Sequence, residues 1–177
     1  MNPLSLPGPA RQIGFVVRDI DASMSSFAAM GIGPWFVLRE LTLQTRYRGR
    51  PCEVVQSMAL ANSGDLQVEL IQQHCDTPSI FTEFLESNGE GFHQLAWWVD
   101  DFDATVAAVE AAGFPVVWAG AESGTAYAYV EPPSGPVPII EIMKNTEVTE
   151  AMAGMVRAAA QDWDGSDPVR SLVGPGR

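Results

Sequence analysis

The sequence predicts an α+β fold in which two joined βαβββ modules form one curved mixed sheet around a central cavity. The first observation behind this prediction is an internal repeat. The stretches "RQIGFVVRDIDASMSSFAAMGI" (residues 11–32) and "GFHQLAWWVDDFDATVAAVEAAGF" (residues 91–114) both run from an apolar strand through an aspartate-rich corner into a helix. The second observation is that strand-like segments follow each copy and end in "QVELIQ" and "IIEIM". Repetition on this scale constrains the architecture before any single motif does.

The repeat also sets the organisation of the chain. The unit strand–helix–strand–strand–strand occurs at about 12–72 and again at about 93–143, with a connecting helix predicted at about 77–88. Together they form a single domain at 10–145, followed by a C-terminal helix and flexible tail at 146–177. Because each module alone would leave one face of its sheet uncovered, two modules joined side by side can enclose a cavity.

In the first module, the strand "QIGFVV" leads into a helix that Asp19 or Asp21 can cap. Ile20, Met24 and Phe27 recur at the spacing of one buried helix face. "PWFVLRELTLQTRYRG" then predicts a strand that ends in a turn, and "CEVVQSMALANSGDLQVELIQQ" predicts a hairpin around "NSGD".

The connecting helix has its own boundary signals. Thr77 or Asp76 can cap it, Pro78 suits its first position, and Gly89 suits its end. These signals predict a short helix that carries the apolar residues of "SIFTEFLESNG" and joins the two modules.

The second module repeats the first. Its helix begins after Asp101 or Asp103 and buries Phe102, Val106 and Val109, again at spacings of four and three. The segments "PVVWAG", "TAYAYVEPPSG" and "VPIIEIM" supply the three remaining strands.

The segment "EVTEAMAGMVRAAAQD" (residues 147–162) predicts an amphipathic helix with one apolar stripe. Two interpretations of this stripe stay open: it packs on its own domain, or it forms a contact between two copies of the chain. The second interpretation makes a homodimer the expected assembly. The remaining "GSDPVRSLVGPGR" predicts a flexible end.

Composition excludes several functional classes. A formal net charge of −12 argues against binding to nucleic acid or to an anionic membrane surface through general electrostatics. No apolar run reaches the roughly 20 residues that a membrane helix needs. "MNPLSLPGPARQ" lacks the features of a secretion signal, and Cys52 and Cys75 are not spaced like metal ligands. These observations predict a cytoplasmic protein with reduced thiols.

Four arginines fall within twelve residues, and three of them, Arg46, Arg48 and Arg50, lie in "QTRYRGR". One interpretation is a solvated hairpin. The other is a clamp for a carboxylate or phosphate, because arginine forks bind such groups through two parallel hydrogen bonds.

Glutamine occupies the same place in both copies, since Gln12 lies seven residues before Asp19 and Gln94 seven before Asp101. Strand alternation puts Gln94 and Trp98 on one face, which makes Trp98 the best candidate among the aromatic residues for a cavity wall. The same alternation puts His93 on the opposite, helix-facing side unless a slip or a bulge at Gly91 turns it inward.

The joined repeat resembles the vicinal oxygen chelate superfamily, and its glyoxalase and methylmalonyl-CoA epimerase-like branch most of all. The resemblance rests on "IGFVVRDIDAS", on "SIFTEFLESNGEGFHQLAWWVDDFDATVAAVEAAG" and on "SGPVPIIEIM". It implies the fold more specifically than the reaction, because the superfamily includes isomerases, lyases, dioxygenases and binding proteins.

The resemblance also implies a set of site residues. In metal-using members, one side chain from the first strand and one from the last strand of each module bind the metal. The equivalent positions here are Gln12, Glu69, Gln94 and Glu141, so this chain lacks the usual histidines, and His93 is an out-of-register alternative ligand. Carboxylate and amide oxygens suit Mg²⁺, Mn²⁺ or Ca²⁺ better than Zn²⁺, Ni²⁺ or iron, so the expected cofactor is one of these hard cations or none.

The resemblance favours an enzyme that isomerises or cleaves a carbonyl-containing small molecule by proton transfer. Glu69 and Glu141 would be the acid/base pair, because burial raises the pKa of a carboxyl group toward neutrality. Gln12 and Gln94 would orient the carbonyl, and Arg46 and Arg48 would contact phosphate if the substrate is an acyl-CoA. The alternative is a non-catalytic protein of the bleomycin-resistance type that sequesters a hydrophobic ligand.

Overall fold

The computed structural model describes residues 6–122 and 124–172 of the chain. Nine strands form a single sheet in the order β3-β4-β1-β5-β8-β7-β6-β2-β9, and β2 also pairs with β3. The strands are β1 (Gln12–Val16), β2 (Trp35–Tyr47), β3 (Arg50–Ser63), β4 (Leu66–Gln73), β5 (Gly91–Val99), β6 (Val116–Glu122), β7 (Thr125–Val130), β8 (Ile139–Lys144) and β9 (Val169–Ser171). The helices are α1 (Ile20–Ala29), α2 (Ile80–Asn88), α3 (Phe102–Ala111) and α4 (Glu147–Ala160).

The first eight strands close into a barrel-like ring. β2 pairs along most of its length with β3 and, near its end, with β6, where Tyr47 lies opposite Trp118. The prediction of two joined βαβββ modules in a curved mixed sheet is confirmed. None of the helices in the described part of the chain is long and apolar enough to cross a bilayer.

The two modules meet through β1 and β5, which are antiparallel. On either side of this junction, β1 pairs in parallel with β4, and β5 pairs in parallel with β8. The first and last strands of both modules are therefore neighbours at the centre of the sheet. Side chains on the inner face of these four strands are brought into one region of the barrel interior.

Helices α1 and α3 cover the outside of the ring. Asp19 caps α1 and Asp101 caps α3, each by accepting a backbone N–H bond three residues later. In the first module, Phe15 and Trp35 both make edge-on contacts with Phe27 of α1. The opposite face of β1 is thereby left for the barrel interior.

Helices α2 and α4 lie toward the interior instead. Phe81 and Phe84 of α2 pack in the buried cluster that includes Tyr129, while Val156 of α4 packs in a second cluster with Leu60 of β3. Each helix thus fills part of the ring with apolar side chains.

The boundary of α2 differs from the sequence prediction. Ser79, rather than Thr77 or Asp76, is its N-cap, and Ser79 forms a reciprocal capping box with Thr82. The Ser79 hydroxyl also donates to Gln73 at the end of β4, at 2.6 Å. This bond ties the start of α2 to the sheet and explains why the later residue caps the helix.

The C-terminal segment also differs from its prediction. Helix α4 packs on β3 of its own chain, as one of the two interpretations of its stripe expected. The segment expected to be a flexible end instead contains β9, which pairs in parallel with the start of β2, and Leu172 after it is buried. Residues 173–177 of the predicted tail lie outside the described residues.

Candidate functional site

Three polar side chains from three strands are buried in the barrel interior. Glu69 of β4, Gln94 of β5 and Glu141 of β8 expose 4%, 0% and 5% of their surface. Gly14 of β1 pairs with Glu69 on one side and with Gln94 on the other. Ala96, two residues after Gln94 on the same strand, pairs with Glu141, so all three polar residues share the inner face. Burial of two carboxyl groups is costly unless they are hydrogen-bonded or protonated. Their contacts therefore determine how the two groups are stabilised in the interior.

Gln94 reaches Glu69 by crossing over Gly14. The Gln94 amide Nε2 donates to Glu69 Oε2 at 3.0 Å. A Cβ atom at position 14 would lie 2.2 Å from the same Nε2, closer than real atoms approach. The absence of a side chain at Gly14 therefore creates the passage through which the hydrogen bond forms.

The second half of the site lacks this passage. Ala96 occupies the position equivalent to Gly14, between Gln12 on one side and Glu141 on the other. Gln12 does not cross it and instead donates to Gln67 Oε1 at 3.0 Å. Within the described residues, Glu141 Oε2 is buried without a hydrogen-bond partner. The two glutamates thus occupy equivalent positions but have different surroundings.

The surroundings displace the pKa values of both carboxyl groups upward. Burial raises the pKa of Glu141 to about 7, against weaker opposing interactions with Tyr129 and Gln94. Burial also raises the pKa of Glu69 well above its usual range, and the nearby charge of Glu141 adds to this effect. The pair therefore resists carrying two negative charges at neutral pH. One carboxyl group that is protonated beside one that is ready to ionise is an arrangement suited to acid–base chemistry.

Tyr129 completes the interior cluster. It lies directly opposite Glu141 on β7, and burial together with the charge of Glu141 raises the pKa of its hydroxyl well above the usual value. In the sequence, Tyr129 lies within the predicted strand "TAYAYVEPPSG", and nothing there indicates a role for it. Its position opposite Glu141 depends on the β7–β8 register, which the proline-rich connection between these strands hides in the sequence.

His93 also points into the interior, so of its two predicted positions the helix-facing one is wrong and the inward one, which requires a bulge, is the one observed. Gly14 pairs with Gln94 but the next residue of β1, Phe15, pairs with Phe92, which leaves His93 as an extra residue in a β-bulge. The bulge lies at His93 itself rather than at Gly91. It turns two successive side chains of β5 inward, which strict alternation does not allow.

The contacts of His93 are mainly aromatic. Its ring centroid lies 5.0 Å from that of Phe84, 5.5 Å from that of Phe81 and 6.4 Å from that of Tyr129. Its Nδ1 hydrogen-bonds Oε1 of Gln94. Burial lowers the pKa of His93 to about 4, so the ring is neutral at physiological pH. A neutral His93 fixes the orientation of the Gln94 amide by donating to its oxygen.

The four positions implied as metal ligands do not form a set of free oxygen donors. Gln94 turns its amide nitrogen toward Glu69 and its oxygen toward His93, and Gln12 is bonded to Gln67. Among the residues that the structure describes, no three or more His, Cys, Asp or Glu side chains are grouped to hold a metal ion. As arranged, this site does not fit Mg²⁺, Mn²⁺ or Ca²⁺.

The two arginines predicted to contact substrate lie in the β2–β3 hairpin, outside this cluster. Arg46 donates to the carbonyl of Gly49 at 3.0 Å, within the hairpin turn. Arg48 forms ion pairs with Glu83 of α2 and with Glu131. The guanidinium of Arg48 is therefore bound by two carboxylates, and the solvated-hairpin interpretation describes these residues better than the anion clamp.

Trp98, the predicted cavity wall, lies beside a small cleft beneath α4. The cleft has a volume of about 20 Å³ and is bordered by Arg11, Gln67 and Trp98 on the sheet side and by Glu150 on α4, among others. The guanidinium of Arg11 lies 4.2 Å from the centre of the Trp98 ring. Gln67 connects this cleft to Gln12 through their hydrogen bond. No signal in the sequence marks Arg11 or Gln67, because their proximity depends on the pairing of β1 with β4 and on where α4 packs.

Comparison with known proteins agrees with the geometry. A sequence model of the Glyoxalase/Bleomycin resistance protein/Dioxygenase superfamily matches residues 11–130. Among curated proteins, none matches the chain.

Solved structures share the fold at low sequence identity. Methylmalonyl-CoA epimerase from Mycobacterium tuberculosis is 18% identical, with a TM-score of 0.54 over 79% of this chain and 89% of that one. A hypothetical protein from Bacillus halodurans C-125 is 17% identical, with a TM-score of 0.55 over 78% and 95%. A variant of Streptomyces coelicolor methylmalonyl-CoA epimerase in complex with 2-nitronate-propionyl-CoA is 22% identical, with a TM-score of 0.51 over 77% and 96%.

The passage over Gly14 leads to a first prediction. Gly14→Ala should destabilise the protein by about 1–3 kcal/mol, because the new methyl group displaces the Gln94 amide from Glu69. In a Gln94→Ala background the same change should be neutral or slightly stabilising, since alanine is favoured over glycine in a strand by roughly 0.5–1 kcal/mol. Urea denaturation of the four proteins measures this coupling.

Gly154→Ala on α4 is the control, because a methyl group there meets nothing within 4 Å. Its effect should be the same with and without Gln94. An equal cost of Gly14→Ala in both backgrounds would contradict the proposed steric conflict.

The raised pKa of Glu141 leads to a second prediction. When folding raises the pKa of a carboxyl group, the folded protein loses stability as the pH rises from the pKa of the unfolded chain to that of the folded protein. The reason is that the group ionises first in the unfolded chain. Glu141 has a pKa of about 7. The free energy of unfolding of Glu141→Gln should therefore rise, relative to that of wild type, by about 3 kcal/mol between about pH 4.5 and about pH 8. Denaturation at both pH values measures the gain. The exposed Glu86→Gln is the control, and a gain as small as that of the control would show that Glu141 ionises freely in the folded protein.

Proposed function

We propose, since this chain belongs to the Glyoxalase/Bleomycin resistance protein/Dioxygenase superfamily, that its buried glutamates transfer protons on a carbonyl-containing small molecule. The observation that carries the proposal is the pair of interior carboxyl groups, Glu69 and Glu141, whose pKa values are both raised by burial. A general base works best when its pKa lies near the operating pH. The pKa of about 7 gives Glu141 that property.

The two carboxyl groups have different roles in this proposal. Ionised Glu141 removes the proton on the carbon next to the substrate carbonyl, and the C–H electron pair moves to the carbonyl oxygen as an enolate. Protonated Glu69 then returns a proton to that carbon or to the oxygen, which gives an isomerised product. The hydrogen bond from Gln94 fixes the position of Glu69. Tyr129, opposite Glu141, is placed to interact with the developing charge.

The likeness to epimerases supports a substrate of the acyl thioester or 2-oxo acid type. Methylmalonyl-CoA epimerases of the same fold bind methylmalonyl-CoA or an acyl-CoA nitronate. Methylmalonyl-CoA has an acidic carbon beside its thioester carbonyl, and the nitronate has the equivalent carbon already deprotonated. A substrate with the same feature would need only the base and acid that Glu141 and Glu69 supply.

A binding protein that sequesters a hydrophobic ligand is the second candidate. The aromatic side chains of Phe81, Trp118 and Tyr129 pack together in the interior and favour it. Two buried carboxyl groups oppose it, because a purely apolar ligand would not compensate the cost of desolvating them.

A homodimer also stays a prediction. Val148 and Met155 of α4 expose 48% and 44% of their surface and would be the residues to change in a test of association.

Deuterium exchange distinguishes the enzyme from the binding protein. In D₂O, the protein should catalyse exchange of the α-proton of at least one compound in a panel of 2-oxo acids and acyl-CoA thioesters. Glu141→Gln should reduce the exchange rate by roughly 10²-fold or more, the usual contribution of a general base, with little change in affinity. ¹H NMR follows the loss of the α-proton signal.

Glu86→Gln, an exposed change on α2, is the matched control and should exchange at the wild-type rate. Absence of exchange for every compound that binds would favour the sequestering protein. Exchange that is unaffected by both Glu141→Gln and Glu69→Gln would contradict the roles given to these residues.

A further inference from the structure

The cleft beneath α4 contains polar groups that the interior cluster does not use. Trp98 Nε1, Gln67 Nε2 and Asn62 Oδ1 are all buried and have no hydrogen-bond partner within the described residues. All three residues border the same cleft. Each of them is more than nine-tenths buried. Because buried polar atoms in proteins are nearly always paired, this set indicates a place where another molecule supplies the partners.

The cleft also contains a positively charged side chain, that of Arg11. Arg11 borders it and donates through Nη1 and Nη2 to the two carboxylate oxygens of Glu150, the second of these bonds measuring 3.0 Å. This is the two-point geometry by which a guanidinium recognises a carboxylate. The face of the same guanidinium lies against Trp98. Arg11 is therefore held with its fork directed at a carboxylate that comes from a different element, α4.

From these contacts we infer that Arg11, Gln67 and Trp98 form a binding site for a carboxylate of the ligand, and that Glu150 occupies this site in the free protein. The inference rests on the proposed function, since it names the substrate class: a carbonyl compound that also has a carboxylate. Nε1 of Trp98 and Nε2 of Gln67 supply neutral N–H donors beside the charged fork of Arg11. The Gln67–Gln12 bond links this site to the residues that lie beside the glutamate pair.

The size of the cleft favours a carboxylate over a larger anion. With α4 in place the free volume of about 20 Å³ holds little more than one water molecule. Exchange of the Glu150 carboxylate for a ligand carboxylate is nearly neutral in volume, whereas a phosphate would need additional space. Asn62 Oδ1 is an acceptor, so in the occupied cleft its partner would be a water molecule rather than the anion itself.

The exchange is also energetically accessible. The side chains of Arg11 and Glu150 expose 31% and 44% of their surface, so their ion pair is partly solvated. Solvent screens a pair of this kind, so the bond between Arg11 and Glu150 is weaker than it would be if both side chains were buried. A ligand carboxylate that gains the N–H bonds of Gln67 and Trp98 as well would therefore compete effectively with Glu150.

Binding of malonate, observed on the Trp98 indole N–H signal in ¹H–¹⁵N NMR spectra, tests the inference. Trp98→Phe identifies the signal among those of the five tryptophans. Glu150→Gln should bind malonate about tenfold more tightly than wild type, because the competing carboxylate is gone. Arg11→Gln in the Glu150→Gln background should weaken binding by about tenfold or more, and Arg11→Lys should restore only part of it. The uncharged malonamide should not bind.

Glu147→Gln is the matched control, since it removes an acidic charge from the same helix at an exposed position that does not pair with Arg11. It should bind malonate as wild type does. Equal gains in Glu147→Gln and Glu150→Gln, equal binding of malonamide, retained binding without Arg11, or no saturable binding in Glu150→Gln would each overturn the inference.

The test is independent of catalysis. Malonate binding that follows this pattern without any deuterium exchange would support the carboxylate-binding site and contradict the proposed proton transfer. Deuterium exchange without such binding would support the proposed proton transfer and contradict the carboxylate-binding site.

Discussion

The antiparallel pairing of β1 with β5 is the contact on which the rest of the structure depends. It joins the two modules into one ring and sets Gly14 opposite Gln94 and Ala96 opposite Gln12. Because both strands also pair in parallel with the last strand of their own module, the same junction positions Glu69 and Glu141. A shift of one residue in this pairing would turn the polar residues of one strand away from the interior. The site is therefore a direct product of one register.

The two halves of the site differ at one pair of equivalent positions, glycine at 14 and alanine at 96. The space above Gly14 admits the Gln94 amide, whereas Ala96 carries a methyl group and Gln12 bonds to Gln67 instead. As a result one glutamate is hydrogen-bonded by a glutamine, while the other retains an oxygen without a partner. Two carboxyl groups at equivalent positions thereby acquire distinct environments, which is the physical condition for one to act as an acid and the other as a base.

Much of the fold could be predicted from the sequence because short segments, such as helix caps and alternating strands, determine it locally. The repeated strand–aspartate–helix pattern gave both modules, and Asp19 and Asp101 are indeed the helix caps. The position of Gln94 on one face with Trp98 followed from strand alternation, and the position of Glu69 was implied by the resemblance to the vicinal oxygen chelate superfamily. The inward position of His93 did not follow from alternation, because a bulge costs only one unpaired residue, and no residue type in "GFHQLAW" requires one. Arg11 and Glu150 could not be paired from sequence either, since they lie 139 residues apart and meet only where α4 packs on the sheet.

Helix α4 is fastened at both ends. It begins at Glu147, shortly after β8 ends at Lys144, and the chain beyond it returns to the sheet as β9. Because β8 also carries Glu141, only residues 145 and 146 separate the strand that holds the proposed base from the helix that covers the Arg11 cleft. So short a connection leaves little slack between the two elements. The site at Arg11 and the carboxyl group of Glu141 are therefore neighbours along the chain as well as in the barrel, and the pairing of β9 with β2 holds the chain that follows α4 to the same sheet.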